Sequence, residues 1–239
     1  WDCCFRAEQK MNREDAEAAA IVQNTFIREG IQLVLNSKVT EVTTVAGAKQ
    51  LHYESPTTRA TVLVDEILVA TGRVPNIEQM GLEQVGVQTD PKRGIIVNDY
   101  MQSTNPQIYA AGDVAMAYKF THAASAAAKM VVQNALFFGR KKLSDLKVPW
   151  CTYTDPEIAH VGLYAHQAQQ QGIAIDTYTI HFDENDRAVA DGEEEGFVKV
   201  ITKKGSDQIL GATIVARQAG DMINEITLAM VAGIGLKTI

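Results

Sequence analysis

The sequence predicts an α/β fold that is followed, near residue 149, by an α+β unit with an antiparallel sheet. Three observations predict it. An amphipathic helix precedes an apolar strand that ends in a glycine turn, as in parallel α/β units. A second extended run, residues 104–113, ends in Gly-Asp. After Val148-Pro149 the pattern changes to short strands interrupted by helices, which is typical of an α+β arrangement.

The first helix is predicted over residues 12–29. Asn12 can cap it, acidic residues suit its positive end, and Gly30 stops it. Its apolar face consists of Ala18, Ile21, Val22, Thr25 and Phe26. Strands are predicted after it over residues 31–35, 39–45, 50–53 and 60–69. A helix, a small antiparallel insertion and an apolar strand are together typical of the later part of a dinucleotide-binding domain.

Two strand ends carry candidate ligand-binding groups. Ala70-Thr71-Gly72-Arg73 follows the apolar strand, and Gly112-Asp113 ends the second extended run. Glycine lets a ligand approach the backbone, and the carboxylate of Asp113 accepts hydrogen bonds from hydroxyl groups. Because nucleotides bind at the carboxyl ends of strands in open α/β sheets, both segments are candidate nucleotide contacts. The alternatives are structural: Arg73 would fix a surface loop, and Asp113 would cap the segment after the strand.

Residues 77–103 are predicted to be rich in loops, and a helix is predicted over residues 123–138. The alanine-rich face of this helix permits close approach by a ligand or by a neighbouring sheet, and both interpretations stay open. Among the histidines only His122, just before this helix, is a candidate site residue. His160 is predicted to be a packing residue.

The last part of the chain predicts the antiparallel sheet. Strands are predicted over residues 151–154, 177–182, 196–202 and 208–215, with helices over residues 164–171 and 219–231. The acidic stretch 183–195 is predicted to be a solvated connection between strands. A metal site there is the weaker alternative, because the carboxylates lack the regular spacing of a calcium loop, and no metal ligand is assigned.

Composition argues against several classes of function. The net charge of −7 argues against a nucleic-acid surface. No apolar run approaches the roughly 18 residues that span a bilayer. Cys3, Cys4 and Cys151 form neither a Cys-x-x-Cys pair nor a disulfide framework, which favours a reducing, cytoplasmic location. The adjacent Cys3 and Cys4 are predicted to be small strand residues rather than a redox pair.

These motifs together resemble the FAD-dependent pyridine nucleotide–disulfide oxidoreductases, in particular the mercuric reductase-like and dihydrolipoamide dehydrogenase-like branches. The resemblance rests first on residues 70–76 and 104–113. Residues 153–162 resemble the opening of the family's dimerisation domain, and residues 219–225 resemble the start of its interface helix. The fold class it implies is α/β, with partial FAD/NAD(P)-binding Rossmann-type domains followed by an α+β dimerisation domain.

The resemblance also implies domain bounds and cofactor contacts. Residues 1–78 would be the later part of an NAD(P)-binding domain, and residues 79–148 the C-terminal part of an FAD-binding domain. Residues 149–239 would be a truncated dimerisation domain, through which a homodimer would form. The implied FAD contacts are Gly112, Asp113, Lys119, Phe120, Thr121 and His122, and the implied NAD(P)H contacts are Gly72, Arg73 and, at the adenine side, Val39.

Parts of the family's machinery are absent from this sequence. It has no Gly-x-Gly-x-x-Gly turn, no Cys-x4-Cys pair and no His-Pro…Glu segment. The chain is therefore expected to be an internal fragment, inactive alone, with no catalytic residue assigned. Phe5 and Arg6 stand where the family reads the adenosine ribose, so a preference for NAD or NADP is not predicted.

For the intact protein the resemblance implies hydride transfer from NAD(P)H to FAD, and electron transfer from there to a disulfide or metal-ion substrate. Two alternatives stay open. One is an NAD(P)H oxidase or quinone reductase of the same fold that lacks the redox disulfide. The other is a non-enzymatic dimerisation module that keeps only remnants of the cofactor sites. Neither a nucleic acid nor a membrane is expected as a partner.

Overall fold

The computed structural model describes the backbone of residues 2–4 and all of residues 13–239. Asn12, Phe5 and Arg6, to which the sequence assigns a cap and a ribose-reading position, lie outside the described residues. The chain divides into two compact units, one made of residues up to Val69 together with Pro149–Ile239, the other made of Ala70–Val148. No helix in the described ranges is both long and apolar enough to cross a membrane.

The structure contains twelve strands and five α-helices in the described residues, several of which differ from the predicted elements. The strands are β1 (Asp2–Cys4), β2 (Gln32–Val34), β3 (Lys38–Val45), β4 (Ala48–Glu54), β5 (Arg59–Val64), β6 (Thr89–Asp90), β7 (Gly94–Ile95), β8 (Trp150–Thr152), β9 (Glu157–Gly162), β10 (Ile175–His181), β11 (Phe197–Lys203) and β12 (Ile209–Ala216). The α-helices are α1 (Ala16–Arg28), α2 (Thr121–Leu136), α3 (Ala165–Gln170), α4 (Asp186–Asp191) and α5 (Ala219–Ala232).

The chain begins with a parallel βαβ unit. β1 pairs in parallel with β2, and α1 is the crossover helix between them. The helix begins at Ala16, later than predicted, and its cap is Asp15 rather than Asn12. The Asp15 carboxylate accepts hydrogen bonds from the N–H groups of Glu17 and Ala18 at 3.0 and 3.3 Å, which satisfies two donors of the first turn.

The antiparallel insertion is a three-stranded sheet in the order β3-β4-β5. Its last strand is shorter than predicted: β5 ends at Val64, whereas the apolar pattern runs to Val69. Leu68 and Val69 are 90% and 75% exposed. No strand in the described residues pairs with this segment, so its apolar sequence has no ladder to join.

The predicted antiparallel sheet of the last ninety residues is confirmed. Its five strands lie in the order β10-β11-β12-β9-β8, and every neighbouring pair is antiparallel. Buried side chains of α5, including Ile223, pack with Ile214 against one face of the sheet. Ala18 and Val22 of α1 pack with Phe197 and Val215 on the other face. The sheet is therefore covered on both sides.

The acidic stretch 183–195 is exposed but is not a simple connection. It contains α4, which Asn185 caps through bonds from the N–H groups of Arg187 and Ala188. Glu193 at its end forms an ion pair with Arg217 on the protein surface. Exposed pairs of this kind contribute little stability. The stretch is a short surface helix with its flanking turns.

The second unit is built around α2. The helix begins at Thr121, two residues before its predicted start, and Ala123, Ala127 and Met130 face its core. The strand predicted before Gly112 does not form. The segment makes a single bridge between Gln102 and Tyr109, because the described chain offers it no longer partner strand.

Candidate functional site

The Gly-Asp turn lies directly on the alanine face of α2. Gly112 has φ +81°, and a Cβ atom placed on it would lie 3.2 Å from the Cβ of Ala124. The left-handed conformation and the tight contact both favour glycine at this position. Gly112 is buried under Ala124, so the neighbour that approaches it closely here is α2 itself. The approach of a ligand to this glycine stays a prediction.

Arg73 joins the two predicted motifs. Its Nη1 atom donates to Oδ2 of Asp113 at 3.1 Å and to the carbonyl oxygen of Lys119 at 2.7 Å. In return, Nζ of Lys119 donates to the carbonyl oxygen of Arg73 at 3.2 Å. The guanidinium is thus shared between a side chain and a backbone group of a second loop. The segments around residues 73, 113 and 119 form one hydrogen-bonded cluster, which we call the Arg73 clasp.

The Asp113 carboxylate keeps access to solvent. Its side chain is 48% exposed, and Arg73 contacts only its Oδ2 atom. A carboxylate of this kind has acceptor capacity for hydroxyl groups of a ligand.

The N-terminus of α2 lies next to the clasp in sequence and carries a favourable charge distribution for an anion. Phe120 is the N-cap residue, and its ring lacks any group that could accept hydrogen bonds from the first turn. The first turn contains no acidic residue, so the positive end of the helix dipole is not opposed there. The rings of Phe120 and His122 stack with 5.5 Å between centroids.

The structure brings most of the predicted site residues into one unit. Gly72 stands at φ +112° in the irregular segment before Arg73, which is a conformation that side chains rarely adopt. The exception is Val39, which lies on β3 of the other unit, pairs with Tyr53 and is 42% exposed. The residues that share the second unit are Gly72, Arg73, Gly112, Asp113, Lys119, Phe120, Thr121 and His122.

Gly94 also shapes this site, although the sequence indicates only a turn there. A Cβ atom on Gly94 would lie 1.8 Å from the carbonyl oxygen of Val114, immediately after Asp113. The adjacent Ile95 N–H donates to that same oxygen at 2.8 Å. The β6–β7 hairpin therefore fixes the backbone beside the carboxylate. The sequence indicates a turn from Pro91 to Gly94, but it contains no pattern that predicts the contact between Gly94 and Val114.

Metal and thiol chemistry find little support in the described part of the chain. No three His, Cys, Asp or Glu side chains there stand close enough together to hold a metal ion. The thiol of Cys151 is half-buried, and its burial, together with the nearby carboxylate of Glu157, raises its pKa to about 12. A thiol so protonated is a poor nucleophile at neutral pH.

Comparison with known families agrees with this geometry. Residues 5–128 match the family model described as pyridine nucleotide-disulphide oxidoreductase, and residues 148–239 match its dimerisation domain. The chain belongs to the pyridine nucleotide-disulphide oxidoreductase family. The Arg73 clasp and the α2 N-terminus lie within the first match, and the five-stranded sheet forms most of the second.

Curated relatives carry two enzyme names. The chain is 32% identical to a mercuric reductase of Staphylococcus aureus over 97% of its own length and 42% of that protein. It is 34% identical to a dihydrolipoyl dehydrogenase of Thermus scotoductus over 92% of its length and 48% of that protein. The chain therefore spans less than half the length of these family members.

Solved structures show the same fold. LpdA from Mycobacterium tuberculosis superposes with a TM-score of 0.88 at 26% identity, over 99% of this chain and 51% of that one. The HOCl-induced flavoprotein disulfide reductase RclA from Escherichia coli gives a TM-score of 0.85 at 25% identity, over 98% and 53%.

The residues present fit part of an FAD site. The carboxylate of Asp113 is half-exposed and could accept bonds from hydroxyl groups, and the α2 N-terminus favours negative charge. Any pyrophosphate-binding glycine turn would have to come from outside this sequence, since the sequence lacks the motif.

Proposed function

We propose that this chain is part of a flavoprotein oxidoreductase that moves electrons from NAD(P)H through FAD to a disulfide or metal-ion substrate. The observation that carries the proposal is the Arg73 clasp, which joins the loop of Gly72 to the carboxylate of Asp113 and the loop before α2. Bound FAD would supply hydride acceptance and onward electron transfer.

Each residue then has a role of its own. Asp113 would accept hydrogen bonds from the ribityl hydroxyls, and Gly112 would allow the close approach. Lys119, Phe120, Thr121 and His122 would hold the flavin ring, and the positive end of α2 would stabilise negative charge there. Gly72 approaches the nicotinamide nucleotide, and Val39 contributes a backbone contact at the adenine side.

The named relatives support two substrate classes. Mercuric reductases and a dihydrolipoyl dehydrogenase are similar to the chain at 31–34% identity, which does not separate the two. The substrate is therefore proposed as a disulfide or a metal ion, without a choice between them.

A homodimer through the residues from about 149 is part of the proposal. The match of residues 148–239 to the family's dimerisation domain supports it. Leu228 and Val231 lie three residues apart on α5 and are 67% and 66% exposed, which suits a helix face that a second copy covers.

The test uses the protein expressed from its complete gene. We expect it to retain FAD, to be bleached by NADH or NADPH without oxygen, and to reduce lipoamide or Hg²⁺. Asp113→Asn should weaken FAD binding by roughly tenfold or more, because a charge-assisted acceptor is lost. Asp145→Asn, an exposed carboxylate of the same unit, is the matched control.

The other outcomes select the alternatives. Bleaching followed by direct oxygen or quinone reduction, with no turnover of lipoamide or Hg²⁺, would favour the disulfide-less oxidase. A folded dimer that retains no FAD would favour the non-enzymatic dimerisation module.

A further inference from the structure

The face of the five-stranded sheet that α1 covers is ordered in two rows of directly paired residues. The first row crosses the strands as Lys199, Thr213, His160 and Trp150. The second row crosses them as Phe197, Val215, Ile158 and Thr152. One row is thus mainly polar and aromatic, and the other is mainly apolar.

α1 carries the complementary order along its own length. Glu14 and Asp15 precede the helix, and Glu17 lies in its first turn. Ala18 and Val22 follow at helical spacing. Ala18 and Val22 pack with Ile158, Phe197 and Val215 of the apolar row. Asp15 and Glu17 bond to Lys199 of the first row, and Glu14 bonds to Trp150 of the first row and Thr152 of the second.

Lys199 binds two of the three acidic residues at the start of α1, Asp15 and Glu17. Its Nζ donates to both carboxylate oxygens of Asp15, at 3.0 and 3.1 Å, and to Glu17 at 2.7 Å. The side chains of Lys199 and Asp15 are only 15% and 17% exposed. Burial alone would lower the pKa of Lys199, but bonds to Glu17 and Asp15 outweigh it and raise the pKa, so the ammonium stays charged.

Glu14, the third acidic residue, is held by three uncharged hydrogen-bond donors. Its Oε1 accepts from Oγ1 of Thr152 at 2.9 Å and from Nε1 of Trp150 at 3.4 Å. Its Oε2 accepts from the hydroxyl of Tyr164 at 2.7 Å. The ring of Tyr164 is itself fixed by stacking on His160, with 3.6 Å between centroids. These bonds join residues about 140 positions apart in sequence.

The end of α1 that is held in this way lies at the edge where β1 ends. In a parallel βαβ unit the crossover helix begins at the edge where the strands have their carboxyl ends, and nucleotides bind at that edge. α1 begins at this edge of the β1–β2 pair. The apolar contacts alone would let the helix slide or rotate, whereas directional bonds to Glu14 and Asp15 do not.

We infer that Lys199 and Tyr164 are positioning residues for the nicotinamide nucleotide: by holding Asp15 and Glu14, they set the nucleotide-binding βαβ unit in a fixed orientation on the dimerisation sheet. The inference rests on the proposed function, since that function assigns the βαβ unit to NAD(P)H. It goes beyond that function by making nucleotide affinity depend on side chains of the dimerisation domain.

The test compares Lys199→Met with Lys203→Met in the protein expressed from its complete gene. Lys203 lies at the exposed end of the same strand and carries the same charge. In rapid anaerobic reduction of the flavin, Lys199→Met should raise the NAD(P)H dissociation constant roughly tenfold. Dimer mass and FAD content should not change. Lys199→Arg should restore most of the affinity, and Lys203→Met should match wild type.

Hydrogen exchange gives a second readout that needs no nucleotide. Amides at the start of α1 should exchange roughly tenfold faster in Lys199→Met than in Lys203→Met. If Lys199→Met does not fold, Tyr164→Phe decides, because it removes the hydroxyl that donates to Glu14 and keeps the ring. It should weaken nucleotide binding roughly threefold.

The possible failures are distinct. A wild-type protein that binds neither nucleotide would overturn the proposed function and the positioning role with it. Hydrogen exchange at α1 would still report whether Lys199 and Tyr164 hold the start of the helix. Wild-type nucleotide affinity in Lys199→Met, or in Tyr164→Phe where that variant decides, would overturn the inference alone, whatever the exchange at α1.

Discussion

Arg73 and Asp113 form an ion pair across 40 residues of sequence, with 3.1 Å between Nη1 and Oδ2. The same Nη1 atom also bonds to the backbone of Lys119. Both side chains are about half exposed, at 63% and 48%, so the pair itself contributes at most about 1 kcal/mol to folding. Its effect should therefore lie in the arrangement of the two loops rather than in the stability of the fold.

Arg73→Met should separate cofactor affinity from stability. Removing the guanidinium frees Asp113 and the carbonyl of Lys119, so we expect FAD affinity to fall roughly tenfold. The free energy of unfolding of the apoprotein should change by no more than about 1 kcal/mol. Flavin fluorescence titration and urea denaturation measure the two quantities. Arg93→Met, at an exposed arginine of the same unit, is the matched control, and equal affinities in both variants would refute the role of the clasp.

Gly94→Ala should destabilise the second unit far more than Gly86→Ala. Both glycines have positive φ, at +85° and +74°, so both substitutions cost about 1 kcal/mol of backbone strain. Only at Gly94 would the new Cβ meet backbone, 1.8 Å from the carbonyl oxygen of Val114, whereas nothing lies within 4 Å at Gly86. We expect Gly94→Ala to cost about 3 kcal/mol or more in urea denaturation. Similar losses in the two variants would contradict the close approach.

The local features of this fold are predictable from the sequence, whereas the features that depend on distant partners are not. The apolar face of α1 and the antiparallel sheet were predictable because helical and strand periods are local signals. β9 was missed, because Ile158, Ala159, His160 and Val161 are all buried, and a strand covered on both faces shows no alternation. The overlong prediction at β5 has the opposite cause: its apolar residues have the pattern of a strand but no neighbour in the described chain.

The candidate site divides in the same way. Gly72, Arg73, Gly112 and Asp113 could be selected from their residue types and lie in one unit, although the strand expected before Gly112 does not form. The bond between Arg73 and the carbonyl of Lys119 could not be predicted, since backbone acceptors leave no trace in composition. The assignment of each of these residues, of Val39 and of residues 119–122 to a cofactor stays a prediction.

Cys151 should be nearly inert to alkylation in the folded protein. Its pKa of about 12, raised by burial and by the carboxylate of Glu157, leaves on the order of a thousandfold less thiolate at pH 8 than an unperturbed thiol. Iodoacetamide labelling of the peptide that contains Cys151, followed by mass spectrometry, should be slow in buffer and fast in urea. Equal rates in the two conditions would mean that the thiol is neither buried nor held protonated.

His160 should make the stability of the first unit sensitive to acid. The ring is buried, its Nε2 donates to the carbonyl of Gly162 at 3.1 Å, and its Nδ1 accepts from the hydroxyl of Thr213 at 2.8 Å, so the neutral form is satisfied. Burial lowers its pKa from 6.5 to about 4. Between these values the unfolded chain binds a proton that the folded chain does not bind. The stabilisation is therefore fully present above pH 6.5 and is lost as the pH falls towards 4.

The expected loss from this one group is about 2 kcal/mol between pH 7 and pH 4.5. His160→Gln cannot titrate, so its free energy of unfolding should fall less over this range than that of wild type. The difference between the two proteins should then be smaller at pH 4.5 than at pH 7. His166→Gln, at an exposed ring that stacks on Tyr164, controls for the loss of a histidine from the same cluster and should follow wild type. Parallel curves for wild type and His160→Gln would show that the buried ring does not set the acid limit of this sheet.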